Sequence, residues 1–168
     1  NICYTSVKGD RKMTINLLYI SMSGNVRSFA KRIQQLSEIK HQENPSFPII
    51  QGKEIHDNSS VFQEVEPYVV VVPTYLEGGN GIDSGDQEIL TESLGDYLDD
   101  QTDRTLCLGI IGSGNKNFAH QYCLTAKQYA KRFNLPFLAD FELRGNAKEI
   151  ETIYLMIADL WQETHKIN

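Results

Sequence analysis

Three short stretches of this chain carry groups suited to holding a ligand. The first, Ser21-Met22-Ser23-Gly24-Asn25, follows the apolar run Leu17-Leu18-Tyr19-Ile20. It opens an amphipathic run in which Val26, Phe29, Ala30, Ile33 and Leu36 fall at helical spacing. A strand that turns through two hydroxyls and a glycine into a helix leaves backbone N–H groups free at the positive end of the helix dipole. That arrangement suits a phosphate or a carboxylate. Gly24 lets the backbone approach the anion with no Cβ in the way, and Ser21 and Ser23 add O–H donors. The same residues also describe an ordinary strand-to-helix turn capped by Ser23 or Asn25. The second stretch is Pro73-Thr74-Tyr75, followed by a loop over 76–85 that holds Gly78, Gly79, Gly81 and Gly85. The third is Gly112-Ser113-Gly114-Asn115-Lys116-Asn117-Phe118.

The residue types narrow the ligand. No G-x-x-x-x-G-K-[ST] motif and no G-x-G-x-x-G motif follows the first strand, so neither a nucleoside triphosphate nor a dinucleotide fits well. A single terminal phosphate is the better match. Tyr75 and Phe118 can stack on a flat heteroaromatic ring, each contact contributing about 0.5–1.5 kcal/mol beyond area burial; either can instead fill the core. Asn115 and Asn117 offer amides to ring nitrogens and carbonyls, although asparagine is also a common turn residue. There is no Ser/His/Asp order, no activated cysteine and no pair of apolar-flanked carboxylates. We therefore name no catalytic side chain and expect the chemistry to belong to the bound ring. FMN, with one phosphate, a polar ribityl chain and a redox-active ring, satisfies these constraints.

These loops need a frame. Apolar strands at about 15–20, 48–51, 68–72, 105–111 and 136–143 alternate with helical patterns at about 25–37, 86–98, 122–133 and from Asn146 onward, and 59–65 can hold a further short helix. Tyr68-Val69-Val70-Val71-Val72 is apolar throughout, as a central strand covered on both faces requires. Asn146 and Glu149 read as a capping box. The alternation predicts an α/β fold: a doubly wound, five-stranded parallel sheet with helices on both faces. In such sheets ligands bind beyond the C-terminal ends of the strands, where the three loops converge.

Length and composition set the outer bounds. The 168 residues suit one domain, and we read 13–168 as that domain and 1–12 as an N-terminal extension ahead of Met13. No apolar run approaches the ~20 residues of a membrane span, so no membrane partner is expected. Cys3, Cys107 and Cys123 show no paired spacing, and His41, His56, His120 and His165 are scattered. Neither a disulfide scaffold nor a metal site is expected, and a cytoplasmic location is. A net charge of −6 argues against nucleic acid. Nine carboxylates lie between Leu76 and Asp103 with no Lys or Arg among them. This run reads as a solvated helix face or as a docking surface for a basic partner.

The motifs resemble the flavodoxin-like superfamily and, within it, the NrdI proteins that serve class Ib ribonucleotide reductase. Ser21-Met22-Ser23-Gly24-Asn25-Val26 is similar to the flavodoxin signature [ST]-x-[ST]-G-[NK]-[ST], with Val26 in place of the last hydroxyl. The stretch from Gly112 to Phe118, with Gln121-Tyr122-Cys123, resembles G-x-G-N-x-N-F-G…Y, with Ala119 in place of the last glycine. The resemblance implies an FMN protein, reduced by a partner of unknown identity, that docks on the radical (dimetal) subunit. There the reduced flavin would turn O₂ into superoxide for a dimanganese-tyrosyl radical cofactor. By position, Ser21, Ser23, Gly24, Asn25 and Val26 would hold the phosphate. Pro73, Thr74, Tyr75, Gly78 and Gly79 would line one side of the ring, and Gly112, Ser113, Gly114, Asn115, Asn117 and Phe118 the other. A general flavodoxin, carrying electrons between a reductase and several acceptors, is the alternative; a receiver-type signalling module lacks the acidic cluster it would need at the strand ends.

Overall fold

The computed structural model describes residues 13–77 and 86–166. Five parallel strands form one sheet: β1 (Thr14–Tyr19), β2 (Ile49–Glu54), β3 (Tyr68–Pro73), β4 (Cys107–Gly114) and β5 (Phe137–Glu142), in the order β2-β1-β3-β4-β5. The strand order reverses between β1 and β3, which places the switch point of the sheet beside the first two loops. Every residue of β3 is buried, as its unbroken apolar run requires.

Helices cover both faces. On one face α1 (Asn25–Glu43) and α4 (Ala147–Lys166) pack Val26, Phe29, Ile33, Ile153 and Ile157 against Leu17, Val69 and Ile111. Phe29 stacks on Phe141 of β5 at a centroid distance of 3.9 Å. On the other face α2 (Glu92–Asp99) and α3 (Leu124–Phe133) contribute Leu94, Tyr97, Leu98, Ala126 and Tyr129. The expected capping box starts α4: the Asn146 N–H donates to Glu149 Oε2 at 2.7 Å, and the Glu149 N–H to Asn146 Oδ1 at 2.9 Å. The extension expected at 1–12 lies outside the described residues.

Several boundaries differ from the sequence expectation, most clearly where backbone groups find other partners. Residues 59–65 form no helix. Their polar groups are taken by the neighbouring helix instead: the Glu64 N–H donates to Gln101 Oε1 at 2.8 Å, and Tyr97 Oη and Gln101 Nε2 both reach the Phe62 carbonyl. Helix α2 starts at Glu92 rather than near Asp86. Residues 87–89 pair instead with 75–77, through Glu77 N–H to the Gln87 carbonyl and Ile89 N–H to the Tyr75 carbonyl. Leu90, inside the span expected to be helical, is exposed with φ +67°. Strand β4 runs on through Gly112-Ser113-Gly114, since Pro73 pairs with Ser113 and Gly114 with Glu142. Helix α1 extends to Glu43, into the segment expected to connect it to β2.

Candidate functional site

The three loops meet at the C-terminal edge of the sheet around a cleft of about 340 Å³, within the usual range for small-molecule sites. Its lining comes from the ends of β1, β3 and β4: Ser21, Ser23, Asn25 and Val26; Pro73, Thr74 and Tyr75; Ser113, Gly114, Asn115 and Phe118. Gly24, Gly112 and Asn117 do not line it, and Gly78 and Gly79 lie outside the described residues.

At the first loop Gly24 is the N-cap of α1, in the left-handed region with φ +87°. A glycine N-cap has no side chain to bond the first turn, and that turn holds no acidic residue. The Ser28 N–H is taken by the Gly24 carbonyl and the Arg27 N–H by Ser21 Oγ at 3.2 Å. The N–H groups of Asn25 and Val26 precede any possible intrahelical bond and point out of the helix end. The Ser23 hydroxyl stands beside them, accepting from Asn25 Nδ2 at 3.3 Å. Arg27 is committed elsewhere, in a bidentate pair with Glu54 at 2.5 and 2.9 Å. Among the described residues this end of the cleft thus presents backbone N–H groups, hydroxyls and the positive end of a helix dipole, without a cationic side chain.

The opposite end is aromatic and amide. Tyr75 is half-buried on one wall, and Phe118 stands 58% exposed at the other. Asn115 Oδ1 accepts the Asn117 N–H at 2.9 Å, so the Asn115 side chain turns the chain into a 3-10 segment, Lys116–Gln121, while its NH₂ stays available. Asn117 is exposed. Thr74 braces the second loop: its N–H donates to the Ser113 carbonyl and its Oγ1 accepts the Thr125 N–H, both at 3.2 Å. The two glycines of the third loop answer to helix packing. A Cβ on Gly112 would stand 2.7 Å from Cys123 Cβ, and one on Gly114 would stand 2.9 Å from Cys123 N, so both let α3 close on β4.

Met22, Leu76, Gln121 and Leu143 also line the cleft and were assigned no role from sequence. Met22 and Leu76 adjoin residues that were. Leu143 follows β5, so the rule that ligands sit at the strands' C-terminal ends could have found it. It has φ +53°, held there by its N–H on the Gly114 carbonyl and by the Ser113 hydroxyl on its own carbonyl. The thiols near the core are poor nucleophiles: burial pushes Cys107 and Cys123 each up to about 12. Among the described residues no His, Cys, Asp and Glu cluster could hold a metal ion, and no helix is long and apolar enough to cross a membrane.

This architecture has relatives. A short-chain flavodoxin associated with a non-canonical PDU bacterial microcompartment superposes with a TM-score of 0.61 at 21% identity, covering 90% of this chain and 97% of that one; the likeness is one of fold. An NrdI-like protein of Streptococcus pyogenes serotype M18 is 54% identical over 85% of this chain and 91% of its own length. One from Streptococcus pneumoniae R6 is 48% identical over 89% and 96%. The protein NrdI of Erwinia tasmaniensis is 35% identical over 63% of this chain and 74% of its own length. The profile of the family described as NrdI Flavodoxin like matches residues 17–155, from the core of β1 into α4 and across all three cleft loops, and the chain belongs to that family.

Proposed function

We propose that the cleft holds FMN, and that the protein serves class Ib ribonucleotide reductase as the activator of its radical subunit. The observation that carries the reading is the chemical polarity of one cleft. It has a helix N-terminus whose N-cap, Gly24, brings no side chain, with Ser21 and Ser23 at one end, and Tyr75, Phe118 and the Asn115 amide at the other. The donor set fits a phosphate ester joined to a flat heteroaromatic ring. FMN held there would supply one-electron redox chemistry, the reduction of O₂ to superoxide for the dimanganese-tyrosyl radical cofactor, while the chain's residues hold and orient it.

The chain's own residues bind and orient. The N–H groups of Asn25 and Val26, with the Ser23 hydroxyl, would bond the phosphate oxygens at the positive end of α1. Tyr75 and Phe118 would flank the ring, and the exposure of Phe118 would leave that edge open to O₂ and to a partner surface. Among the described residues the lining holds no Lys, Arg or His.

Titrating the protein with FMN should give saturable, one-to-one uptake and a yellow product. After reduction, addition of O₂ and the manganese-loaded radical subunit should give a tyrosyl-radical signal by electron paramagnetic resonance. A protein that takes up no FMN ends the reading. The alternative, a general electron carrier reduced by one partner and oxidised by several, draws on the exposed carboxylates Glu92 and Asp96 along α2 and Asp100 at its C-cap, which suit a basic docking partner. FMN uptake without radical formation, together with rapid electron transfer to unrelated acceptors, would establish the carrier.

A further inference from the structure

We infer that Glu88 and Tyr129 are positioning residues for the cofactor cleft: they clamp the hairpin stem bearing Tyr75 and Leu76 to α3, the helix that also follows the third loop. The inference rests on the FMN reading of the cleft.

The stem is a short antiparallel pairing. Leu76 bridges to Glu88, flanked by the Glu77–Gln87 and Tyr75–Ile89 backbone bonds. Its incoming strand supplies Tyr75 and Leu76 to the lining, and its outgoing strand is tied down. Tyr129 of α3, 1% exposed, donates its hydroxyl to Glu88 Oε1 at 2.6 Å, and Thr91 Oγ1 donates to the same oxygen. Two residues earlier, the Asp86 carbonyl accepts Gln128 Nε2 of α3 at 3.1 Å, and Asp86 Oδ1 accepts Gln121 Nε2 at 3.0 Å. The path from Tyr129 to Glu88 runs under α2, and the sequence leaves room for it. A Cβ on Gly95 would stand 2.9 Å from Tyr129 Oη, so a helix interior carries glycine, a poor helix former, where that hydroxyl passes.

The geometry has a consequence for the site. Phe118 and Asn115 lie just before α3 in the chain, and Tyr75 and Leu76 are held to α3 through Glu88 and Asp86. Both walls of the cleft are referenced to one helix, so the clamp sets the spacing between them. A displacement of Tyr75 by about 0.5–1 Å would forfeit roughly a quarter to a half of its dispersion contact with the ring although the fold stands.

The test compares FMN affinity with stability in Tyr129→Phe, Glu88→Ala, Glu88→Gln and Tyr97→Phe. Tyr129→Phe keeps the ring in the core and removes only the hydroxyl; Glu88→Ala, at a half-buried position, serves if Tyr129→Phe does not fold. Both should raise the FMN Kd by about tenfold and shift the visible flavin band, as loss of a charge-assisted bond that orders the wall predicts. Glu88→Gln keeps an acceptor oxygen and should restore most of the affinity. Tyr97→Phe removes a buried hydroxyl from the same hydrophobic cluster, at the Glu64 and Lys53 network; it should lower the melting temperature yet leave Kd and the flavin spectrum at wild-type values. Wild-type affinity and spectrum in Tyr129→Phe and Glu88→Ala would overturn the inference, as would Tyr97→Phe weakening FMN equally. A wild-type protein that binds no FMN would instead overturn the underlying reading.

Discussion

Ala119 sits at φ +48° and ψ −115°, outside the basins open to a residue with a Cβ, in the 3-10 segment beside Phe118. Such a conformation costs on the order of 1–3 kcal/mol, and the neighbouring bonds hold it: the Tyr122 N–H donates to the Ala119 carbonyl at 3.0 Å. Ala119→Gly removes the Cβ penalty and increases the unfolded chain's freedom, which offsets ~0.5–1 kcal/mol. Chemical denaturation should therefore show a net stabilisation of about 1 kcal/mol; a destabilised variant would refute the strain. Gly24 presents the reverse case. Its φ of +87° disfavours any side chain, whereas a Cβ there meets no atom within 4 Å. Gly24→Val should cost about 1–2 kcal/mol of stability through backbone strain. On the FMN reading it should also weaken FMN by more than tenfold, by crowding the anion beside Asn25 and Val26. Unchanged FMN affinity, measured by fluorescence titration, would remove the phosphate assignment from this loop.

At the scale of elements, segment 55–67 takes the place of a helix in the crossover from β2 to β3, and an ion pair between its buried Glu64 and the partly exposed Lys53 fastens it. Glu64, its side chain 3% exposed, accepts from Lys53 Nζ at 2.7 Å, Tyr97 Oη at 2.6 Å and Asn16 Nδ2 at 2.9 Å. Burial alone would raise its carboxyl pKa; the Lys53, Tyr97 and Asn16 bonds outweigh that and hold it below the usual glutamate range. Stability from this group is thus present above the unfolded glutamate pKa and lost as pH falls through the depressed folded value. Lys53→Met leaves the buried carboxylate without its partly exposed cation and should cost about 2 kcal/mol at neutral pH. The deficit should shrink on acidification, because the unpaired carboxyl protonates at a higher pH than the paired one. Urea denaturation at several pH values checks both magnitude and slope; a pH-independent deficit would mean that lost packing dominates. Sequence periodicity could not disclose this segment. Val61, Phe62 and Val65 look like the start of an apolar helical face, yet all three are exposed, since the backbone bonds that decide the structure go to Gln101 and Tyr97, far along the chain. Helix α2 failed to start at Asp86 for the same reason, with residues 87–89 pairing across the loop. The strands and the other helices were legible because their apolar spacing is local.

At the scale of the molecule, the sheet order and the cleft location follow from alternation of strands and helices plus the switch-point rule, both readable from residue types. The width of the cleft was not readable, because it depends on contacts between Glu88 and Tyr129 and between Asp86 and Gln128, which no local pattern marks. A cleft assembled from β1, β3 and β4 exists only in the folded chain, so a ligand it holds must stabilise the whole fold. FMN at a hundred times its Kd should add about 2.7 kcal/mol, which for a domain of this size raises the melting temperature by about 5–11 °C. Riboflavin carries the same ring without the phosphate and leaves the α1 N-terminus unused. It should bind more weakly and, at the same free concentration, raise the melting temperature by only a fraction of that amount. Calorimetric scans with each ligand separate the two ends of the cleft. Equal shifts from FMN and riboflavin would mean that the ring end alone binds and that Ser21, Ser23 and the helix end serve only the turn. No shift from either ligand would remove the flavin from the cleft altogether.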